Sequence, residues 1–198
     1  MEVWEYVRGD ETERCPWCLG NGLYIRYHDQ EWGVPVHDDR KHFEYLVLES
    51  AQAGLSWLTI LKRREGYRKA FADFDPEVVS GFSEERIEEL VGDPSIIRNR
   101  RKIEATVNNA ARFLEVQKEF GSFDGYLRSF LGKGRIVNGW KNMEQLPSRT
   151  ELSDRISTDM RSRGFRFVGS TIMYAHLQAA GIVNDHLVTC FRYHQVME

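Results

Sequence analysis

Apolar residues recur at intervals of three and four along most of the 198-residue chain, which is the spacing of one face of an α-helix. The first clear stripe predicts a helix over residues 38–53 and consists of Phe43, Leu46, Val47 and Ala51. A second stripe predicts the longest helix, over residues 98–120, with Gly121 as its end. No alternating apolar and polar run of useful length is present. The pattern therefore predicts an all-α protein built from many short helices.

Capping residues and helix breakers predict the other boundaries. Pro76 follows Asp75 and Glu84 follows Ser83, and both pairs are typical of a helix start. Residues 132–147 are glycine-rich and polar, which predicts a poorly ordered loop. Further helices are predicted at residues 55–71, 123–131, 150–163 and 170–180.

A short glycine-bounded turn, Gly164 to Gly169, joins the last two predicted helices. Glycine lets a backbone approach a phosphate closely, and the N–H groups at the start of the second helix would face that phosphate. The turn therefore suits a helix-hairpin-helix that holds a DNA backbone without reading its sequence. An ordinary αα-corner in a core is the more common use of such a turn. Arg163 and Arg166 beside it favour the phosphate alternative.

Composition and charge change this picture only locally. Apolar content of 41%, charged content of 29% and a net charge of −3 are typical of a soluble globular protein and do not by themselves indicate a nucleic-acid partner. Cations are concentrated at residues 62–64, 98–102 and 161–166, which are either solvated helix faces or phosphate contacts. The chain shows neither a membrane-length apolar run nor a signal-peptide pattern. We therefore expect a cytoplasmic location and no membrane partner.

Residues 48–57 place a carboxylate, an amide and an indole around a predicted helix break. Glu49 lies among apolar residues, Gln52 and Trp57 follow it, and Gly54 is a natural helix end. A carboxylate in apolar surroundings is either paired or meets a ligand. From periodicity alone, a Glu49 that points to solvent is the simpler interpretation.

Cysteine and histidine positions suggest a metal site. Three cysteines in a presumed cytosolic chain do not indicate a disulfide framework. Cys15, His28, His186 and Cys190 make a Cys₂His₂ set, and a helix would place the last two on one face. Four protein ligands leave no open position, so such a zinc ion would be structural and would tie the two chain ends together. Cys18 competes with Cys15 as a ligand, and three cysteines buried as small apolar residues remain the alternative.

The chain resembles the DNA-3-methyladenine glycosylase I family from about residue 13 to residue 193. The resemblance is carried by six blocks, which are residues 13–17 (ERCPW), 24–35 (YIRYHDQEWGVP), 48–57 (LESAQAGLSW), 96–103 (IIRNRRKI), 163–169 (RGFRFVG) and 184–186 (NDH). Cys18, Pro16 and residues 1–12 depart from the family pattern.

This resemblance implies a helix-hairpin-helix DNA glycosylase fold with a small zinc-binding part that joins the N- and C-termini. One structural zinc ion would be bound by Cys15, His28, His186 and Cys190. Damaged-base binding would involve Trp17, Tyr27, Trp32, Glu49, Gln52 and Trp57, with Glu49 as the catalytic acid. DNA contacts would come from the wedge residue Leu55 and from Gly164, Arg166, Val168 and Gly169.

The expected domain organisation is a single glycosylase unit over residues 13–195. It would consist of two helical lobes with the active site between them, and its zinc part would comprise residues of about 13–30 and 184–195. Residues 1–12 would be an N-terminal extension without an assigned role. We expect a monomer.

The resemblance also implies a monofunctional enzyme that flips 3-methyladenine out of alkylated double-stranded DNA and releases the free base by hydrolysis. Methylation at N3 makes the base cationic and weakens its bond to the sugar. Glu49 would favour that cation, and the indoles of Trp17 and Trp57 would flank the ring. Asp185 is a second candidate acid, which we rank below Glu49.

Two other functions are compatible with some of these features. A non-catalytic binder of alkylated or distorted DNA could use the same turn and pocket. A zinc hydrolase unrelated to DNA is disfavoured, because four protein ligands close the metal site. Without a clear candidate for a Schiff-base lysine, we expect no strand cleavage.

Overall fold

The computed structural model describes residues 12–132 and 134–197, so residues 1–11 of the predicted extension lie outside the described residues. Within these two ranges the chain forms eleven α-helices, which are α1 (Gly22–Gln30), α2 (Asp39–Gln52), α3 (Trp57–Leu61), α4 (Arg64–Ala70), α5 (Pro76–Ser80), α6 (Glu84–Gly92), α7 (Arg100–Phe120), α8 (Phe123–Ser129), α9 (Glu151–Ser162), α10 (Ser170–Ala179) and α11 (Arg192–Gln195). The prediction of a mostly helical protein is confirmed. None of these helices combines the length and apolar character that a bilayer crossing requires.

Helix α2 lies at the centre of the fold. It packs against α3, α7, α8 and α10, and ten of its fourteen residues are buried. Asp38 caps its start by accepting a hydrogen bond from the Lys41 N–H, and Gly54 follows its end with φ at +79°. A helix surrounded in this way buries polar positions as well as its apolar stripe. Glu49 therefore points to the interior, and the solvent-facing interpretation of this residue is wrong.

Helices α9 and α10 form a hairpin that packs one helix on the other. Thr150 and Ser153 form a capping box at the start of α9. Gly169 precedes α10, which also packs against α2. The bounds of both helices lie within one residue of the predicted ranges, 150–163 and 170–180.

The prediction that the chain lacks strands is wrong at two places. Strand β1 (Ile136–Val137) and strand β2 (Val183–Asn184) pair in parallel, with Ile136 opposite Val183. Two residues per strand are too few to show an alternating pattern. The pairing fixes part of the predicted loop at 132–147 against the segment that carries Asp185 and His186.

The structure differs from the predicted helices at two places. The predicted helix at residues 55–71 divides into α3 and α4, because the chain turns at Arg63 and so brings Arg64 to Glu31 and Glu44, at 2.7 Å from each carboxylate. Helix α1 was not predicted, although Asn21 caps it. Its buried residues include His28 and Asp29, which interrupt the apolar stripe.

Candidate active site

A cavity of about 200 Å³ is formed by residues of α1, α2, α3 and α10, together with Trp17, Trp32 and Leu146. All six residues expected to bind a base line it, namely Trp17, Tyr27, Trp32, Glu49, Gln52 and Trp57. Three lining residues were missed by sequence reasoning: Leu146, Ala175 and Gln178. Ala175 and Gln178 share one face of α10, but helical spacing does not distinguish a face that lines a cavity from one that fills a core.

Glu49 is the acid of this cavity. Its side chain belongs to α2 and is only 4% exposed. Among the described residues, none makes a hydrogen bond or ion pair with the Glu49 carboxylate. Burial raises the pKa of Glu49 to about 8, so the group holds a proton at neutral pH while the cavity is empty. A cation placed beside it would favour the ionised form, which makes the cavity suitable for a positively charged ligand.

Aromatic rings form much of the cavity wall. The ring centre of Trp17 lies 6.4 Å from that of Tyr27 and 5.1 Å from that of Trp32, and Tyr27 lies 5.3 Å from Trp57. Burial is the main reason that the pKa of Tyr27 is well above its ordinary value, so its phenol stays neutral. The Trp57 Nε1–H is buried and has no hydrogen-bond partner within the described ranges. The cavity can therefore stack a planar ring and offer donors at its edge.

Asp185 does not line the cavity, and its carboxylate is fully used by neighbouring donors. Its Oδ1 atom accepts from Asn138 and Trp140, both at 2.7 Å. Its Oδ2 atom accepts from Tyr174 at 2.5 Å and from Gln178 at 2.7 Å. Since Gln178 reaches the cavity, Asp185 helps to orient the wall and is not itself placed to meet a ligand.

The segment between α2 and α3, residues 53–56, carries an exposed leucine beside the cavity. We call it the Leu55 loop. Leu55 is 39% exposed and borders a second depression that also includes Glu49 and Gln52. Ser56 caps α3 by accepting a hydrogen bond from the Thr59 N–H. A large apolar side chain thus stands in solvent at the rim of the candidate site.

The hairpin turn, residues 163–169, separates the predicted DNA contacts into two kinds. Gly164 is exposed with φ at +89°, and Arg166 is exposed without an ion-pair partner among the described residues. Val168 is 1% exposed, and its carbonyl accepts from the Ser157 hydroxyl, so its side chain belongs to the core and not to the surface of the turn. Gly169 precedes α10 and has no side chain to cap it, so the first N–H groups of that helix remain available to an anion.

Arg163 was expected to favour phosphate binding, but its guanidinium is occupied within the protein. It contacts Glu119 and Asp159 at 2.6 Å each. Arg163 therefore stabilises the turn from within the protein, whereas the Arg166 side chain is exposed and has no ion-pair partner among the described residues.

Four buried side chains form a potential metal site where the chain ends meet. The ligand atoms of Cys15, His28, His186 and Cys190 all lie within 4.8 Å of one another. The Cys190 sulfur is 3.4 Å from His28 Nε2 and 3.6 Å from His186 Nδ1, and the Cys15 sulfur is 3.7 Å from His186 Nδ1. A tetrahedral zinc site has sulfur–nitrogen edges of about 3.5 Å. We expected a helix to place His186 and Cys190 on one face, but a turn brings these two residues together instead.

Neighbouring acceptors orient both histidines of this cluster. His28 Nδ1 lies 2.8 Å from the Asp29 carboxylate, and His186 Nε2 lies 3.0 Å from the Trp32 carbonyl. Each contact holds a proton on one ring nitrogen and leaves the lone pair of the other facing the cysteines. Cys18 lies outside the four-residue cluster, and its sulfur donates to the Cys15 carbonyl.

These features describe a helical protein with an aromatic cavity around a buried acid, flanked by an exposed apolar side chain and a glycine-bounded turn. Comparison with known proteins agrees with this class. The family model for methyladenine glycosylase matches residues 17–193. The chain belongs to the methyladenine glycosylase family, so the predicted family resemblance is confirmed.

Individual relatives cover nearly the whole chain. DNA-3-methyladenine glycosylase 1 of Escherichia coli strain K12 is 46% identical over 181 residues, which is 91% of this chain and 97% of that protein. A crystal structure of 3-methyladenine DNA glycosylase I has a TM-score of 0.87 and 44% identity, and the match covers 90% of this chain and 98% of that one. A variant of 3-methyladenine DNA glycosylase I in complex with 3-methyladenine also has a TM-score of 0.87, with 35% identity and coverage of 90% and 96%.

Proposed function

We propose that this protein is a monofunctional DNA glycosylase that excises 3-methyladenine from alkylated double-stranded DNA. The observation that carries the proposal is Glu49, a buried carboxylate without a partner among the described residues, in a cavity walled by indoles and a phenol. A neutral base would gain little binding energy from such a carboxylate. A base methylated at N3 carries a positive charge, which would pair with the ionised Glu49. The names of the relatives point to the same substrate.

Recognition would combine stacking and charge. Trp17 and Trp57 would flank the flipped ring, a cation–π arrangement that contributes about 1–2 kcal/mol once water is excluded. Glu49 would lose its proton to the solvent as the cation enters, and its carboxylate would accept a hydrogen bond from the exocyclic amine. Tyr27, Gln52 and Trp32 would complete the contacts at the edge of the ring.

Hydrolysis then needs little help from a general acid. When the bond between the sugar and the cationic base breaks, its electron pair moves onto the base and neutralises the charge there. Water then adds to the sugar carbon and gives up one proton to the solvent, and the DNA strand is not cleaved. Within the described ranges, the residues that line the cavity include no lysine, which agrees with hydrolysis rather than Schiff-base chemistry.

Extrusion of the base would depend on two surfaces beside the cavity. Leu55 would enter the duplex and fill the gap left by the flipped base. Gly164, Arg166 and Gly169, with the N–H of Val168, would hold the phosphate backbone, which makes α9 and α10 a helix-hairpin-helix.

One structural zinc ion would bind to Cys15, His28, His186 and Cys190. The distances within the cluster and the orientation of both histidines support this assignment. The ion would hold residues of about 13–30 to residues 184–195 in a single unit spanning residues 13–195, with the cavity between two helical lobes. Because Trp17, Tyr27 and Trp32 belong to the same segment as two ligands, the ion would also fix one wall of the cavity.

The test is an excision assay on methylated duplex DNA, with released bases separated and identified. We expect 3-methyladenine from the wild type and a strong loss with Glu49→Gln. Glu77→Gln, the same change at an exposed helix position, is the matched control. Tight binding to the methylated duplex without released base would favour the alternative of a non-catalytic DNA binder.

A further inference from the structure

Helix α7 supplies side chains that hold both of the segments expected to face DNA. Lys102 lies in its first turn and Asn109 lies two turns further along, so the two residues share one face of the helix. Lys102 reaches the end of α2, and Asn109 reaches the hairpin turn. Neither residue lines the cavity.

Lys102 holds the Leu55 loop where it leaves α2. Its ammonium donates to the carbonyl of Ala51 at 2.8 Å and to the carbonyl of Ala53 at 2.6 Å. These carbonyls lie at the C-terminal end of α2, where a positive charge is favourable. The contact therefore fixes the direction in which the loop projects Leu55, two residues beyond the second carbonyl.

Asn109 clamps the hairpin turn with both ends of its amide. Its Nδ2 atom donates to the Arg166 carbonyl, and its Oδ1 atom accepts from the Arg166 N–H, both at 2.8 Å. Asn108 adds a bond from its Nδ2 atom to the Gly164 carbonyl at 2.9 Å. The backbone of the turn is thus held from α7 while the Arg166 side chain stays exposed.

Building on the proposed function, we propose that Lys102 and Asn109 are positioning residues that set the spacing between the Leu55 loop and the hairpin turn. A wedge can enter a duplex only if it lies at a fixed distance from the backbone that the turn holds. One rigid helix that grips both segments provides that distance. Lys102 acts through Leu55, and Asn109 acts through the phosphate-binding turn.

A comparison of duplex with single-stranded substrate tests this role, because an unpaired base leaves no gap for a wedge to fill. We expect Lys102→Met to lower kcat/KM on methylated duplex DNA by roughly tenfold, with less than about a threefold loss on the methylated single strand. Lys102→Arg, which still offers donors to both carbonyls, should restore most of the duplex activity. Asn109→Leu should lower kcat/KM on both substrates, since the turn would hold the phosphate backbone of each.

Lys118→Met is the matched control, because Lys118 is an exposed lysine near the other end of α7. Equal losses on the two substrates with Lys102→Met, or no loss, would overturn the positioning role. If that variant does not fold, Lys102→Gln keeps one neutral donor and allows the same comparison. A wild type that releases no base refutes the proposed function, whereas an active wild type with an equally active Lys102 variant refutes the positioning role alone.

Discussion

Replacing Glu49 by glutamine should make the ligand-free protein more stable at neutral pH and lower its affinity for a cationic ligand. The pKa of Glu49 rises from an ordinary value of 4.5 to about 8 in the fold because the carboxyl is buried. Its stabilising contribution is therefore present below pH 4.5 and is lost as the pH rises toward 8. Glutamine has nearly the same shape and stays neutral, so Glu49→Gln removes this loss.

The size of the effect follows from the pKa difference. Each pKa unit corresponds to about 1.4 kcal/mol, so the advantage of glutamine in the free energy of unfolding should grow by roughly 3 kcal/mol between about pH 5 and pH 7.5. Urea unfolding at the two pH values measures this growth, with Glu77→Gln as the control that should show none. Calorimetry with free 3-methyladenine should show weaker binding to Glu49→Gln at pH 7.5. A stability difference that does not change with pH would refute the assignment of a raised pKa to Glu49.

Three further predictions concern the rest of the molecule. Purified protein should contain one equivalent of zinc by elemental analysis, and Cys190→Ser should lower both the metal content and the melting temperature; full metal content in that variant would contradict the ligand assignment. Arg166→Ala should reduce the slope of log K against log salt for DNA binding by about 1, whereas Arg163→Ala should leave the slope unchanged and reduce stability by breaking its contacts with Glu119 and Asp159. Arg64→Met should lower the free energy of unfolding by about 2–3 kcal/mol in urea titrations, because it removes the cation between Glu31 and Glu44. Lys41 stays beside both carboxylates, and a loss under about 0.5 kcal/mol would show that Lys41 alone neutralises them.

The sequence predicted those parts of the fold that local chemistry determines. Asp38, Asp75 and Ser83 each cap the start of a helix, and Gly121 adopts the left-handed conformation expected at the end of α7. The corresponding helix boundaries could be read to within about two residues for this reason. The family blocks then identified six residues that the structure brings around one cavity.

The parts that sequence reasoning missed depend on contacts between distant segments. Helix α1 was hidden because His28 and Asp29 are buried by the chain ends, which a local window does not show. The two-residue strands exist only as a pair, since each is too short to carry a pattern. Gln178 lines the cavity and donates to Asp185, which a local sequence window does not show. Lys102 belongs to a cationic patch in the sequence, but its partners are the carbonyls of Ala51 and Ala53.

At Glu49, the local sequence and the contacts between distant segments act in opposite directions. A charged residue in an apolar stretch contradicts the local preference of its helix, and such contradictions are expected where a site was selected for function rather than for stability. The surrounding elements keep the carboxyl in place, because α2 is packed on several sides and its end is fixed by Lys102. The unfavourable burial is thus sustained by contacts that do not involve the carboxyl itself. A cationic ligand would relieve it directly, which is why affinity for such a ligand and stability of the empty protein should respond in opposite directions when the charge at position 49 is removed.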